Sequence, residues 1–181
     1  MISKAANRYA NALIDIGIES KKLDEIKEDM ILLDQSIEES RDLKLFLKSP
    51  LIKKAIKSSA LKEIFEGKVQ QMTMNLIELL VEKNREQLLH DISASYVSLY
   101  KKHHGIIDVE IQTAFELSDE DVTKLKKILE SYTGKTVQMD LSIHEELIGG
   151  LTVRIDDTIF DGSVKHKLSQ LEKSFAAASV E

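Results

Sequence analysis

Apolar residues return every three or four positions from the start of the chain to about residue 104, and every second position soon after. The first spacing is that of an amphipathic helix and the second that of a half-buried strand. Ala5 to Ile18 reads as one helix, with Gly17 near its end. Leu23, Ile26, Met30, Leu33 and Ile37 form the stripe of a second. Arg41 to Lys48 is a short third, closed by Ser49-Pro50, because the residue before a proline avoids helical geometry. Leu51 to Phe65 gives a fourth, ending near Gly67, and Met72 to Lys83 a fifth. Leu88, Leu89, Ile92, Tyr96, Leu99 and Tyr100 mark a long sixth helix that stops near Gly105. Short connections between such helices favour a compact antiparallel bundle.

Past Ile106 the period changes. Ile107, Val109 and Ile111 alternate with Asp108, Glu110 and Gln112, as in a strand. Ser118, with Asp121 three residues on, approximates a capping box, and Val122, Leu125, Ile128, Leu129 and Tyr132 follow as a helical face ending before Gly134. Val137, Met139, Leu141 and Ile143 alternate again. Gly149-Gly150 then allows a sharp turn before Leu151, Val153 and Ile155, and Asp161-Gly162-Ser163 supplies cap-type residues for a last helix. That helix carries Val164, Leu168, Leu171 and Phe175 on one stripe, expected to lie against the sheet. The fold class expected is mainly α: a six-helix bundle over 1–104, then a small α+β domain over 105–181 in the order β-α-β-β-α.

Two helices are apolar over more of their circumference than a core-facing stripe needs. In the first, the arc from Ala12 through Ala5, Ile16, Tyr9, Leu13, Ala6 and Ala10 to Ile14 covers roughly 200°, against the ~100° of an ordinary amphipathic helix. In the fifth, Leu79, Met72, Leu76, Leu80, Ile77, Val81 and Met74 span a comparable arc. Such a helix either sits at the centre of the bundle or buries one shoulder against another chain. Small residues such as Ala5 and Ala12 beside Tyr9 would let a foreign helix approach closely, with the tyrosine as an anchor.

Composition narrows the function classes. Hydrophobic residues at 43% suffice for a packed core, and only 7 Gly and 1 Pro suit long helices. A net charge of −6 argues against a nucleic-acid partner, since phosphate binding needs a basic surface. The absence of cysteine excludes disulfides, thiolate metal sites and cysteine nucleophiles. No apolar run approaches the ~18–20 residues of a membrane span, and the start lacks a signal-peptide pattern. Membrane association is therefore expected only through partners.

Nothing in the chain assembles a catalytic constellation. His103 and His104 are helix neighbours pointing roughly 100° apart, so they do not converge on a metal. His144-Glu145-Glu146 lacks the second histidine of a zinc-protease helix. Asp156, Asp157 and Asp161 read as turn residues rather than hard-cation ligands. Gly149-Gly150 precedes a strand, whereas a phosphate cradle precedes a helix, and no phosphate-loop or nucleophile-elbow motif occurs. No cofactor and no metal are expected.

Three stretches together resemble one known family. Ala6-Asn7-Arg8-Tyr9-Ala10-Asn11-Ala12-Leu13, the run from Leu76 to Arg85, and Ile148 to Val164 with its glycine pair are similar to the delta subunit of bacterial F-type ATP synthases. That family is related to the mitochondrial oligomycin-sensitivity-conferring protein. The match departs at Asp156, where many relatives carry a small residue such as glycine. The resemblance implies a non-catalytic stator connector, one copy per complex, at the cytoplasmic face of a bacterial plasma membrane. It implies that the helical domain binds alpha-subunit N-terminal helices, on the shoulder formed by Ala5, Tyr9, Ala12, Ile16, Met72, Leu76, Leu79 and Lys83. It further implies that the C-terminal domain holds the b-subunit stalk, for which Phe175, Ala176, Ala177 and Ala178 are the candidate contact. The alternative reading is a stand-alone helical adaptor that captures an amphipathic helix of an unrelated partner.

Overall fold

The computed structural model describes the backbone of residues 3–178 and the side chains of residues 3–174. The described chain is mainly helical with a small C-terminal sheet, and it divides between His103 and His104 into two compact units.

The first unit holds α1 (Lys4–Ser20), α2 (Leu23–Glu39), α3 (Arg41–Lys48), α4 (Lys54–Phe65), α5 (Gln71–Glu82) and α6 (Leu89–His103). Local chemistry sets several of the ends. Ser3 Oγ accepts from the Ala6 amide at 3.1 Å and Ser40 Oγ from the Leu43 amide at 3.2 Å, capping α1 and α3. Helix α4 begins at Lys54 rather than at Leu51, because Pro50 and Leu51 form a turn, Ile52 a bend, and Lys53 is extended. The core takes Ala6, Ala10 and Leu13 from α1 and Ile26, Met30 and Leu33 from α2. Leu61 and Phe65 of α4, Ile77 and Leu80 of α5, and Ile92 and Tyr96 of α6 complete it. Each fully buried Leu, Ile, Met or Phe side chain among them contributes about 1.5–3 kcal/mol over its exposed state. Helix α6 packs on both α1 and α2. Its Tyr96 is fully buried and its hydroxyl donates to the Leu23 carbonyl at 3.2 Å; burial pushes the phenol well above its usual pKa.

The second unit is built on a four-stranded sheet in the order β2-β1-β3-β4. Its elements are β1 (Ile106–Thr113), α7 (Asp119–Thr133), β2 (Thr136–Ile143), β3 (Leu151–Ile155), β4 (Thr158–Asp161) and α8 (Val164–Ala178). Strands β1 and β2 are parallel, joined through α7, while β3 and β4 run antiparallel to their neighbours. Leu125 and Leu129 of α7 cover Ile107, Val109, Ile111, Val137, Val153 and Ile155. The expected order β-α-β-β-α is one strand short. The sequence pattern does not show β4, because Asp156-Asp157 and Asp161-Gly162 leave too few residues between them for an alternation to register. Backbone pairing with β3 makes it a strand.

A second correction concerns α8. Val164, Leu168 and Leu171 are 37%, 47% and 53% exposed, so this stripe does not lie against the sheet. The sheet's apolar face is served by α7 instead, and α8 leans on the one-turn helix Glu145–Leu147. The glycine pair explains where α8 begins. The Val164 amide donates to the Gly149 carbonyl at 2.9 Å, and a Cβ on Gly149 would stand 3.0 Å from Val164 Cγ2. Gly150 takes φ +75 with the Gly162 carbonyl directly against it. Ser163 Oγ then caps the helix by accepting from the His166 amide at 3.1 Å.

Candidate partner-binding surfaces

In the first unit α1 and α5 run in opposite directions and are linked by two side-chain hydrogen bonds. Ser20 at the end of α1 donates to Met72 Sδ at the start of α5, at 3.6 Å. Beyond the other end of α5, an Arg85 guanidinium nitrogen donates to the Tyr9 hydroxyl of α1 at 3.1 Å. Between the ties the two helices present large apolar side chains to solvent. Ile16 of α1 is 46% exposed and Leu79 of α5 is 40% exposed, and Ala12 is exposed as well.

The candidate residues divide accordingly. Ala12, Ile16, Leu79 and Lys83 are exposed, while Ala5, Tyr9 and Met72 are half-buried. Leu76 is buried in the core, beneath this surface rather than on it. The two over-wide apolar arcs have different causes. In α1 the inner side, Ala6, Ala10, Leu13 and Ile14, is buried, and a separate shoulder is left outside. In α5 most of the arc is consumed inside, by Met74, Leu76, Ile77, Leu80 and Val81, and Leu79 is the main outward residue.

Helix α5 is held in an unusual way. Its N-cap residue Gln70 makes no side-chain cap bond and its first turn has no acid. The cap comes from α2: Asp29 Oδ2 accepts from the Gln70 amide at 2.8 Å and from Thr73 Oγ1 at 2.6 Å. Asp29 is 6% exposed and Thr73 fully buried. Burial pushes the Asp29 carboxyl above its usual range, and the bonds from Thr73 and Gln70 oppose that shift. Sequence reasoning missed this residue, which occupies an ordinary polar position in the pattern of α2.

In the second unit the exposed large apolar residues include Leu141 and Ile143 at the far end of β2 and the stripe Val164, Leu168 and Leu171 of α8, besides Phe115, Ile128, Tyr132, Ile148, Ile159 and Phe160. The heptad-like spacing of that stripe was visible in the sequence but was assigned to the interior. The side chains of Phe175, Ala176, Ala177 and Ala178, the sequence-based candidates for the stalk, lie outside the described residues.

The possible sites for chemistry remain dispersed. Among the described residues no group of three or more His, Asp or Glu side chains could hold a metal ion. Asp161 is used structurally, accepting from the Ser163 amide at 2.9 Å, and hydrogen bonding to the Ser163 side chain first, with that amide second, holds its carboxyl below the usual range. Nor, among the described residues, is any helix long and apolar enough to cross a membrane.

Comparison with known proteins agrees along nearly the whole chain. The model of the ATP synthase delta (OSCP) subunit family matches residues 5–175. The ATP synthase subunit delta of Chloroherpeton thalassium is 38% identical over 179 residues, covering 99% of this chain and 98% of that protein. That of Chlorobaculum parvum is 41% identical over 173 residues, covering 96% of each. A chain of the Toxoplasma gondii mitochondrial ATP synthase hexamer shares the fold, with a TM-score of 0.71 at 18% identity over 96% of this chain and 98% of its own. Helices, sheet and glycine-pair signature thus fall within a single full-length match, and the chain belongs to the ATP synthase delta (OSCP) subunit family.

Proposed function

We propose that this protein is the non-catalytic stator connector of an F-type ATP synthase, a peripheral-stalk subunit that helps keep the catalytic head from turning with the rotor. Family membership over residues 5–175 carries the reading, and it favours a stator subunit over a free-standing adaptor. The N-terminal domain, residues 1–104 by the sequence pattern, acts as a six-helix bundle that binds an alpha-subunit N-terminal helix. The C-terminal domain, 105–181, holds the b-subunit stalk. One copy serves each complex, attached peripherally to the membrane through its partners and facing the cytoplasm.

The α1–α5 surface supports the head-binding half of this assignment. Ala5, Tyr9, Ala12, Ile16, Met72, Leu79 and Lys83 form the docking shoulder, with Leu76 packed beneath them. Two helices linked by two side-chain hydrogen bonds and apolar between suit an incoming amphipathic helix, which would anchor through residues spaced three and four apart. On the second unit, the α8 stripe Val164, Leu168 and Leu171 offers apolar contact that continues toward the candidate segment Phe175–Ala178. A stator contact needs slow dissociation, and affinity differences of this kind lie mostly in the off-rate.

Calorimetric titration of the alpha-subunit N-terminal peptide into the full chain tests the assignment. Saturable one-to-one binding is expected. Leu79→Ala should weaken it by about 1–2 kcal/mol while leaving the melting curve unchanged, because Leu79 lies outside the core. Undiminished affinity would remove Leu79 from the site. The purified chain should also show no metal-dependent phosphoester hydrolysis. A saturable turnover lost in Asp157→Ala would overturn the non-catalytic reading.

A further inference from the structure

We propose that Asp29 is the positioning residue of the head-binding surface: from α2 it caps the start of α5 and thereby fixes the register of the α5 residues that meet the partner helix. The proposal rests on the α1–α5 docking surface of the preceding section.

The argument begins with what α5 lacks. Helices α1, α3 and α7 each begin with their own serine, which accepts a bond from an amide in the first turn. Helix α5 begins with Gln70, whose side chain caps nothing, after a loop that turns through Gly67 at φ +76. The first amides of a helix have no partner within it, and burying them without an acceptor is costly. Asp29 supplies that acceptor from another helix. One carboxylate oxygen takes both the Gln70 amide and the Thr73 hydroxyl, one turn apart, and so grips the first turn at two points. Its negative charge also meets the positive end of the α5 dipole.

Placement gives this bond a functional consequence. Met72 lies between the two gripped residues and is where α5 meets Ser20 of α1. Leu79 is two turns further along the same helix. A slip or fraying of the first turn of α5 would move Met72 off α1 and rotate Leu79 relative to Ile16. The other tie, Arg85 to Tyr9, lies beyond the far end of α5 and cannot restore the register at its start. Asp29 touches no partner in this scheme; it acts through α5.

Four variants of the full chain test this: Asp29→Ala, Asp29→Asn, Thr73→Val and Leu79→Asp. The readouts are calorimetric titration with the alpha-subunit N-terminal peptide and native-state hydrogen exchange. Asp29→Ala should weaken binding by about tenfold, the scale of a lost helix cap. It should also speed exchange of the Gln70–Asn75 amides about tenfold more than those of α6. Asp29→Asn keeps an oxygen for the same two donors and should stay within about threefold of the parent on both readouts. If Asp29→Ala does not fold, Thr73→Val decides, because it removes one grip and leaves the backbone bond; faster exchange confined to the start of α5 is then expected. Equal acceleration in every helix, or unchanged affinity in a folded Asp29→Ala, overturns the proposal. Unchanged affinity in Leu79→Asp would instead remove the docking surface, and the exchange pattern alone would then decide whether Asp29 sets α5.

Discussion

Lys57→Met should destabilise the first unit by about 3–5 kcal/mol, the cost of stranding a buried charge. Lys57 lies on α4 and is 3% exposed; its ammonium donates to Glu86, in the one-turn helix before α6, and to the Leu47 carbonyl at the end of α3, 3.2 Å away. One side chain thus joins three elements. Glu86 is itself 8% exposed, and its second oxygen has no hydrogen-bond partner. Without Lys57 that carboxylate would remain buried with no counter-charge, and the Leu47 carbonyl would lose its donor. Methionine fills the space of the lysine stem, so the loss measures the charge rather than a cavity. The exposed Lys62–Glu78 pair at 2.7 Å is the internal control, since solvent-exposed pairs contribute about 0–1 kcal/mol. Urea unfolding followed by far-ultraviolet circular dichroism reads both. The double variant Lys57→Met with Glu86→Leu should recover most of the loss, because a buried ion pair is replaceable by apolar residues at little net cost. A loss below about 1 kcal/mol for Lys57→Met alone would show that Glu86 reaches solvent after all.

The legibility of this chain follows the range of its interactions. Helix α3 forms over Arg41–Lys48, as Ser40 before it and Pro50 after it dictate, and strands β1 and β3 follow their alternation. These signals are local: a cap, a proline, a period. The outward shoulder of α1 was also readable, because an apolar arc too wide for one interface is a property of a single helix. What could not be read depends on partners distant in the sequence. Asp29 meets Gln70 and Thr73, and Lys57 meets Glu86; in the linear pattern each is simply a polar residue on an amphipathic helix. The α8 stripe was misassigned for a related reason. Periodicity shows that a helix has an apolar side but not what covers it, and α7 had already taken the sheet face. At Asp156 the departure from the expected small residue is accommodated directly. The residue takes φ +50 in the turn between β3 and β4, a conformation that aspartate tolerates better than most side chains.

Gly150→Ala should cost the second unit about 2–5 kcal/mol, enough to unfold a small domain, while the first unit keeps its melt. Gly150 has φ +75, a region in which an ordinary L-residue is strained. A Cβ there would also stand 2.5 Å from the Gly162 carbonyl oxygen and 3.3 Å from Ser163 Cα. Both are backbone atoms at the junction of β4 and α8, so no side-chain rotation relieves the clash. The junction is held from the other side too, since the Gly162 amide donates to the Leu151 carbonyl at 3.0 Å. The preceding Ile148 is already at φ +66, unusual for a β-branched residue, which leaves this turn little room to absorb a further shift. The glycine pair therefore does more than turn the chain: it seats the start of α8 and, with it, the apolar stripe proposed for the stalk. Gly150→Ala should abolish binding of a soluble b-subunit dimer and leave titration with the alpha-subunit peptide unchanged. Heteronuclear NMR of the variant would show sharp dispersed signals for residues of α1–α6 and collapsed ones for β1–β4. Loss of both binding activities, with one cooperative collapse of the whole chain, would mean that the two units do not fold independently and that head and stalk binding cannot be separated by mutation.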